Sequence, residues 1–522
     1  MQTIASRLIL AAMAILAVLS ACSAPPAKAV NVPQGASAGE LTPLEPCEYR
    51  PDGDHRFEAQ CATLSVAENP ADPGTRLIAL PVVRIPASGP QPAEPVFFLQ
   101  GGPGSPNLTW SPPDWLLAEH DVVLVGYRGA EGSVVLDCPP VNRLLVAYTG
   151  RGIFSDAARA DLDKAVEQCA RDWQAAGVDL DGYTAPAVIE DLEAARLALG
   201  YPRIHLYSVS YGTRLAQLYT YMHPGSLSRV VMIGMNPPGH FIYDREDFDA
   251  MLVRMSGLCA QDPACAGRSS NLAQTIYTVN RHMPDHWLFF PIDPGTIRMA
   301  TQMMFFSNPT MPLAIDAYLA AGQGDASGMA MLNLMSKFVF PPFIIGDLLN
   351  KGGTLDLAYY QGLESVNLGD SVMGSPLSEM IWPMATAWPI TLADESLRHL
   401  NPSEVEMLIV NGTLDFSTPL AALDEVKPYY SHAQMVRLPE FSHVGDVETL
   451  QPQAFQRLIS SYYHDGVADD SLYVYQPLQF VPEMSLGKMA RLLLVAAVLV
   501  LALLAGGLAL LVRRVRRARS TN

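Results

Sequence analysis

Positive charge is what this chain has least of. It carries 34 Lys and Arg against 52 Asp and Glu, a formal net charge of −18. Six of the arginines stand at the two ends: Arg7, Arg513, Arg514, Arg516, Arg517 and Arg519. Between those ends, 28 basic residues face all 52 acidic ones, a balance of −24. Phosphate binding needs a basic face, so the composition argues against nucleic acid as a partner; the acidity suits an exported domain that stays soluble. No CxxC pair and no His/Cys cluster has the spacing of zinc ligands, there is no internal repeat, and nothing implies a metal or cofactor.

Two stretches are nearly or wholly without charge. Residues 1–21 hold Arg7, then an apolar run and small residues, the layout of a secretory signal peptide. Its end, Leu19-Ser20-Ala21-Cys22, resembles the lipobox of bacterial lipoproteins, which makes Cys22 a lipidation candidate; the alternative is an ordinary signal with a chance cysteine. Residues 492–512 have no charge over a length that matches the ~20 residues needed to cross a bilayer core, and the arginines after them belong on the cytoplasmic side. The expected location is therefore the bacterial cell envelope, anchored in the plasma membrane with everything between the two ends outside the cytoplasm. Such a compartment is oxidising. With Cys22 set aside, Cys47, Cys61, Cys138, Cys169, Cys259 and Cys265 form an even set, and chain order favours 47 with 61, 138 with 169 and 259 with 265.

Short apolar runs at 77–85, 96–99, 122–125, 204–209, 230–233, 407–410 and 435–438 read as strands. Several are too continuous to be half-exposed, which suits a mostly parallel sheet covered on both faces. Helical patterns at 157–176 and 186–199 alternate with them, the mark of an α/β sheet. The expected order is a flexible spacer at 22–46, a first core part at 47–238, a mainly helical, Met-rich cap at 239–400, a second core part at 401–465, a juxtamembrane segment at 466–491, the transmembrane helix at 492–512 and a basic tail at 513–522. The cap methionines, Met299, Met303, Met304, Met329, Met331 and Met335 among them, either fill the cap's own core or line an adaptable apolar pocket.

Two serines stand two apart in "YSVSYGT", residues 207–213. A nucleophile on a sharp strand-to-helix turn needs small residues two before and two after it. Ser210 has Ser208 and Gly212 there, whereas Ser208 has Leu206, so Ser210 is the nucleophile candidate. "QGGPG" at 100–104 follows an earlier strand, and its glycines let backbone N–H groups approach a developing oxyanion. Gly102, with Gly101 as the alternative, and the N–H of Tyr211 are the candidate donors. Asp415 and His443 each follow a later strand, in the chain order Ser, Asp, His that this architecture uses. His399, His432 and His464 compete less well because they do not follow strand ends.

Taken together, QGGPG, "YRGAEGS" at 127–133, "DCP" at 137–139, "SYGT" at 210–213, "GTLDFSTP" at 412–419 and "SH" at 442–443 resemble the prolyl aminopeptidase and tripeptidyl aminopeptidase branch of the α/β-hydrolases. Residues 60–240 and 400–460 carry the resemblance; the cap adds only Cys-x-x-Asp-Pro-x-Cys at 259–265. It implies an α/β-hydrolase fold with a helical cap and a Ser210–Asp415–His443 triad. Gln100, Gly126 and Ser208 depart from the usual residues, and they bear on substrate more than on activity. An aminopeptidase of this kind holds the substrate's free amine with cap acids, and "LDLAYYQGLE" at 355–364 offers Glu364; a solvated cap carboxylate is the alternative.

Three functions follow for test. The first is a membrane-anchored serine aminopeptidase releasing N-terminal residues or short peptides through an acyl-enzyme. The second is an esterase or lipase acting on small acyl esters, and the third an inactive hydrolase fold that only binds.

Overall fold

The computed structural model describes residues 30–52, 54–339, 343–363 and 365–519. The signal peptide, Cys22 and Glu364 lie outside the described residues.

Strands form in the order β1 (Glu40–Leu41), β2 (Glu45–Tyr49), β3 (Phe57–Ala67), β4 (Leu77–Ile85), β5 (Ala93–Leu99), β6 (His120–Val125), a short β7–β8 ribbon (Arg128–Gly129 and Glu131–Val135), β9 (Ile204–Val209) and β10 (Leu227–Ile233). A β11–β12 hairpin (His286–Trp287 and Phe290–Pro291) belongs to the cap, and β13 (Met407–Gly412) and β14 (Ala433–Leu438) close the series. The main sheet runs β1-β3-β4-β6-β5-β9-β10-β13-β14, with β2 on β3. From β6 to β14 every neighbouring pair is parallel; β1 to β4 are antiparallel, as is the β4–β6 pair. All seven expected strands are present.

Local chemistry fits this order. Every residue of β9 and β13 is buried, as strands covered on both faces require. The helix Asp156–Ala175 starts where Ser155 accepts the Ala158 N–H, and the helix Ala185–Ala198 where Thr184 accepts that of Ala187. Both begin and end one residue before their expected bounds.

The cap enters between β10 and β13 as a group of helices from Arg245 to Ala387. Met299 and Met329 are fully buried and Met331 nearly so, which makes them core filling rather than pocket lining. The three disulfides are 47–61, 138–169 and 259–265.

Order differs from the sequence expectation within residues 22–46, of which 30–46 are described. Residues 22–46 read as a spacer, yet β1 and the start of β2 fall within them, because Glu40 and Leu41 pair with Ser65 and Leu64 of β3. Backbone pairing, which no apolar pattern reports, holds that stretch. In residues 466–491, expected as a juxtamembrane segment, Leu478, Phe480, Leu486 and Ala490 are buried in the cap's core. The terminal helix Leu486–Arg519 therefore starts inside the domain, and it is the one helix among the described residues long and apolar enough to cross a membrane.

Candidate active site

Parallel neighbours end at the same rim of a sheet, and that rim collects the residues of interest. QGGPG follows β5, Ser210 follows β9, Gly234 follows β10, Asp415 comes three residues after β13, and His443 five after β14. The structure brings Ser210, Asp415 and His443 together. His443 Nε2 lies 2.9 Å from Ser210 Oγ, and its Nδ1 lies 2.8 Å from Asp415 Oδ2. His399, His432 and His464 are exposed residues outside this cluster.

Ser210 sits at φ +52°, ψ −126°, immediately before the helix Tyr211–Met222. Such a backbone costs on the order of 1–3 kcal/mol in a residue other than Gly and persists only where its surroundings hold it. Here the Ser210 N–H donates to the Ile233 carbonyl at 2.8 Å, and the helix packs so closely on the glycine loop that a Cβ on Gly212 would lie 2.1 Å from the Leu99 carbonyl oxygen. Ser208, which stands where glycine is usual, fits without a clash: it is fully buried, and its Oγ donates to the Val231 carbonyl at 2.8 Å.

Asp415 is 1% exposed and fully employed. Its Oδ1 accepts the N–H groups of Ser417 and Thr418, both at 2.8 Å, and its Oδ2 accepts Thr418 Oγ1 at 2.7 Å besides facing the imidazole. Thr418 lies in the GTLDFSTP motif, but its contact with the acid was not legible, because only the folded turn carries its hydroxyl back to residue 415.

The glycine loop passes directly over the serine. A Cβ on Gly101 would lie 2.8 Å from Ser210 Cβ. The Gly101 N–H is already held by Gln100 Oε1 at 2.8 Å, which turns the choice of donor toward Gly102, at φ +124°. Underneath, the buried carboxylate of Glu131 accepts the N–H groups of Asn107, Leu108 and Tyr127 at 2.8–2.9 Å. Burial pushes its pKa up to about 7 against the pull of those three donors. On the cap side, Asp347 Oδ2 accepts the Gly104 N–H at 3.1 Å and Asp347 Oδ1 pairs with Lys351 at 2.6 Å. The cap helix Ile345–Gly362 is thus tied to the loop beside Ser210.

Aromatic rings line the rest of the neighbourhood. Phe306 packs at 5.7 Å from the His443 ring and 6.2 Å from Tyr243, and Phe241 at 5.6 Å from Tyr211. Glu448, half-buried and bonded to the Tyr207 hydroxyl at 2.5 Å, has its carboxyl pKa raised by desolvation.

The family model for the alpha/beta hydrolase fold matches residues 94–262, which include the glycine loop and the serine turn. The chain has the α/β-hydrolase fold. Tripeptidyl aminopeptidases of Streptomyces coelicolor and Streptomyces lividans are each 27% identical to it over 251 residues. That match takes in 44% of this chain and 44% and 45% of theirs, so it spans under half the length of these relatives. Among solved structures, a serine hydrolase from Cycloclasticus zankles is 14% identical, covering 78% of this chain and 100% of that chain at a TM-score of 0.33. An esterase from Thermogutta terrifontis is also 14% identical, covering 77% and 97% at a TM-score of 0.34. Scores this low add nothing to the reading of the site.

Proposed function

We propose that this hydrolase is a membrane-anchored, extracytoplasmic serine aminopeptidase of prolyl or tripeptidyl type. The observation that carries the reading is the pair of contacts on His443, 2.9 Å to a hydroxyl and 2.8 Å to a buried carboxylate. The tripeptidyl aminopeptidase similarity supports the peptide class of substrate.

In this reading Ser210 Oγ attacks the scissile carbonyl carbon as His443 Nε2 takes its proton. Asp415 keeps the Nδ1 proton facing itself and stabilises the imidazolium that forms. The oxyanion receives N–H bonds from Gly102 and Tyr211, the latter at a helix N-terminus where the backbone dipole also favours negative charge. Collapse passes the proton from His443 to the leaving amine and leaves the acyl group on Ser210. Water then attacks that ester with His443 again as base, releasing the N-terminal fragment. A cap acid, Glu364 in this proposal, pairs with the substrate's free ammonium.

A fluorophosphonate probe on the full chain in membranes tests the chemistry: labelling disappears in Ser210→Ala, and turnover falls by about 10⁴-fold or more. Substrate class is tested with prolyl and tripeptidyl amides, whose cleavage stops when the amine is acetylated. Turnover of acyl esters without amide cleavage would make the protein an esterase. A parent chain that takes no probe would make it a binding protein.

A further inference from the structure

The turn that delivers His443 runs Glu440-Phe441-Ser442-His443 between β14 and the next helix, so regular structure does not hold it. Three other parts of the molecule do. From the core, Thr413 Oγ1 accepts the Glu440 N–H at 2.8 Å, two residues before Asp415. From the cap, Asn308 Nδ2 donates to the Glu440 carbonyl at 2.7 Å, and the carbonyls of Phe305 and Phe306 accept Ser442 Oγ at 2.7 Å and the His443 N–H at 3.3 Å.

The third grip comes from the stretch ahead of the terminal helix. The two carboxylate oxygens of Glu440 accept the Tyr475 hydroxyl and, at 2.5 Å, the Leu478 N–H. Glu440 is 6% exposed and sits at φ +60°, a conformation that favours Gly or Asn. What the side chain supplies there is the tie to residues 475 and 478. Beyond that tie, the stretch is fastened to the cap. Leu478 and Phe480 are buried, a Cβ on Gly487 would lie 2.7 Å from Ser327 Oγ, and Arg491 pairs with Asp325 at 2.5 Å.

We propose that Glu440 is a positioning residue for His443 and that residues 473–490 are the strap it holds, which makes the approach to the terminal helix a working part of the active site. The inference rests on the reading of His443 as general base. The imidazole must stay within hydrogen-bond reach of Ser210 Oγ, and a displacement of about 1 Å at such a site costs up to ~100-fold in rate. A strap that only glued cap to core would affect stability alone.

The test uses the full chain in membranes, with Glu440→Ala, Glu440→Gln and Tyr475→Phe. Active sites are counted by fluorophosphonate labelling at saturation, so that unfolded molecules drop out of the rate. In Glu440→Ala, kcat per labelled site is expected to fall about tenfold with KM within about twofold, and the labelling rate to fall in parallel. Tyr475 is 60% exposed, so Tyr475→Phe leaves the fold intact; its kcat is expected to fall about threefold. Glu440→Gln keeps an acceptor for the Leu478 N–H and offers a donor to the Tyr475 hydroxyl, and it restores most of the loss. Should Glu440→Ala fail to fold, Tyr475→Phe decides. A kcat per site within about twofold of the parent in the folded variants, with only Tm lowered, overturns the inference while leaving the triad reading in place. Labelling that survives Ser210→Ala overturns both.

Discussion

Glu131 is never in line to touch substrate, yet it organises the loop that passes over Ser210. A buried carboxylate with three backbone N–H donors has two opposed pressures on it, and burial carries its pKa to about 7 from the usual 4.5. The folded state therefore holds this proton more tightly than the unfolded chain does. Stability linked to it is complete below about pH 4.5 and is lost as pH rises through about 7. Glu131→Gln cannot titrate and leaves at least one of the three N–H groups without an acceptor, at a cost of about 1–3 kcal/mol. Melting curves should show the parent more stable than Glu131→Gln, with the gap in Tm narrowing between about pH 5 and pH 8. A gap that stays constant between about pH 5 and pH 8 would mean that Glu131 is ionised throughout that range.

At the scale of elements, cross-links act where strands and helices do not reach. Cys138 stands at the start of the helix Pro139–Tyr148 and is joined to Cys169 in the helix Asp156–Ala175, closing 31 residues. Cys259–Cys265 closes only 6. Loop-closure entropy makes the longer link worth about 1.5 kcal/mol more than the shorter. Denaturant unfolding under non-reducing conditions is expected to show a Cys138→Ser/Cys169→Ser pair losing about 3–4 kcal/mol, and a Cys259→Ser/Cys265→Ser pair losing clearly less. The cap's grip on the site is also an element-scale property. One helix, Ile345–Gly362, is bonded to the glycine loop through Asp347, and the segment after another, Pro294–Met304, is bonded to the His443 turn through Phe305 and Phe306.

For the whole molecule, the helix Leu486–Arg519 buries Leu486 and Ala490 in the domain and is mostly exposed from Leu492 to Val512. If it spans a membrane as proposed, the catalytic domain hangs from it by the cap rather than by a slack tether. Alkaline carbonate washing is then expected to leave both the full chain and Cys22→Ser in the membrane pellet, because the helix alone suffices. Metabolic labelling with a palmitate analogue is expected in the parent and absent in Cys22→Ser. Release of the full chain by carbonate would remove the spanning role.

Much of this was legible in one dimension because continuous apolar runs, small residues around a serine and acids or imidazoles after strands are local signals. They placed seven strands, the cap insertion, and Ser210, Asp415 and His443 as candidates to converge. Tertiary structure alone decided how those residues are held. Thr418 on Asp415 and Gln100 on the Gly101 N–H join members of one motif whose contact the motif does not spell out, and Glu131 on the Asn107 N–H and Tyr475 and Leu478 on Glu440 join groups that no period or motif relates. The same holds for the pairing of β1 and for the packing of the strap within the juxtamembrane segment. Apolar pattern records which side chains leave water, whereas hydrogen-bond partners are fixed only when chain closure brings distant backbone and side-chain groups within 3 Å of one another.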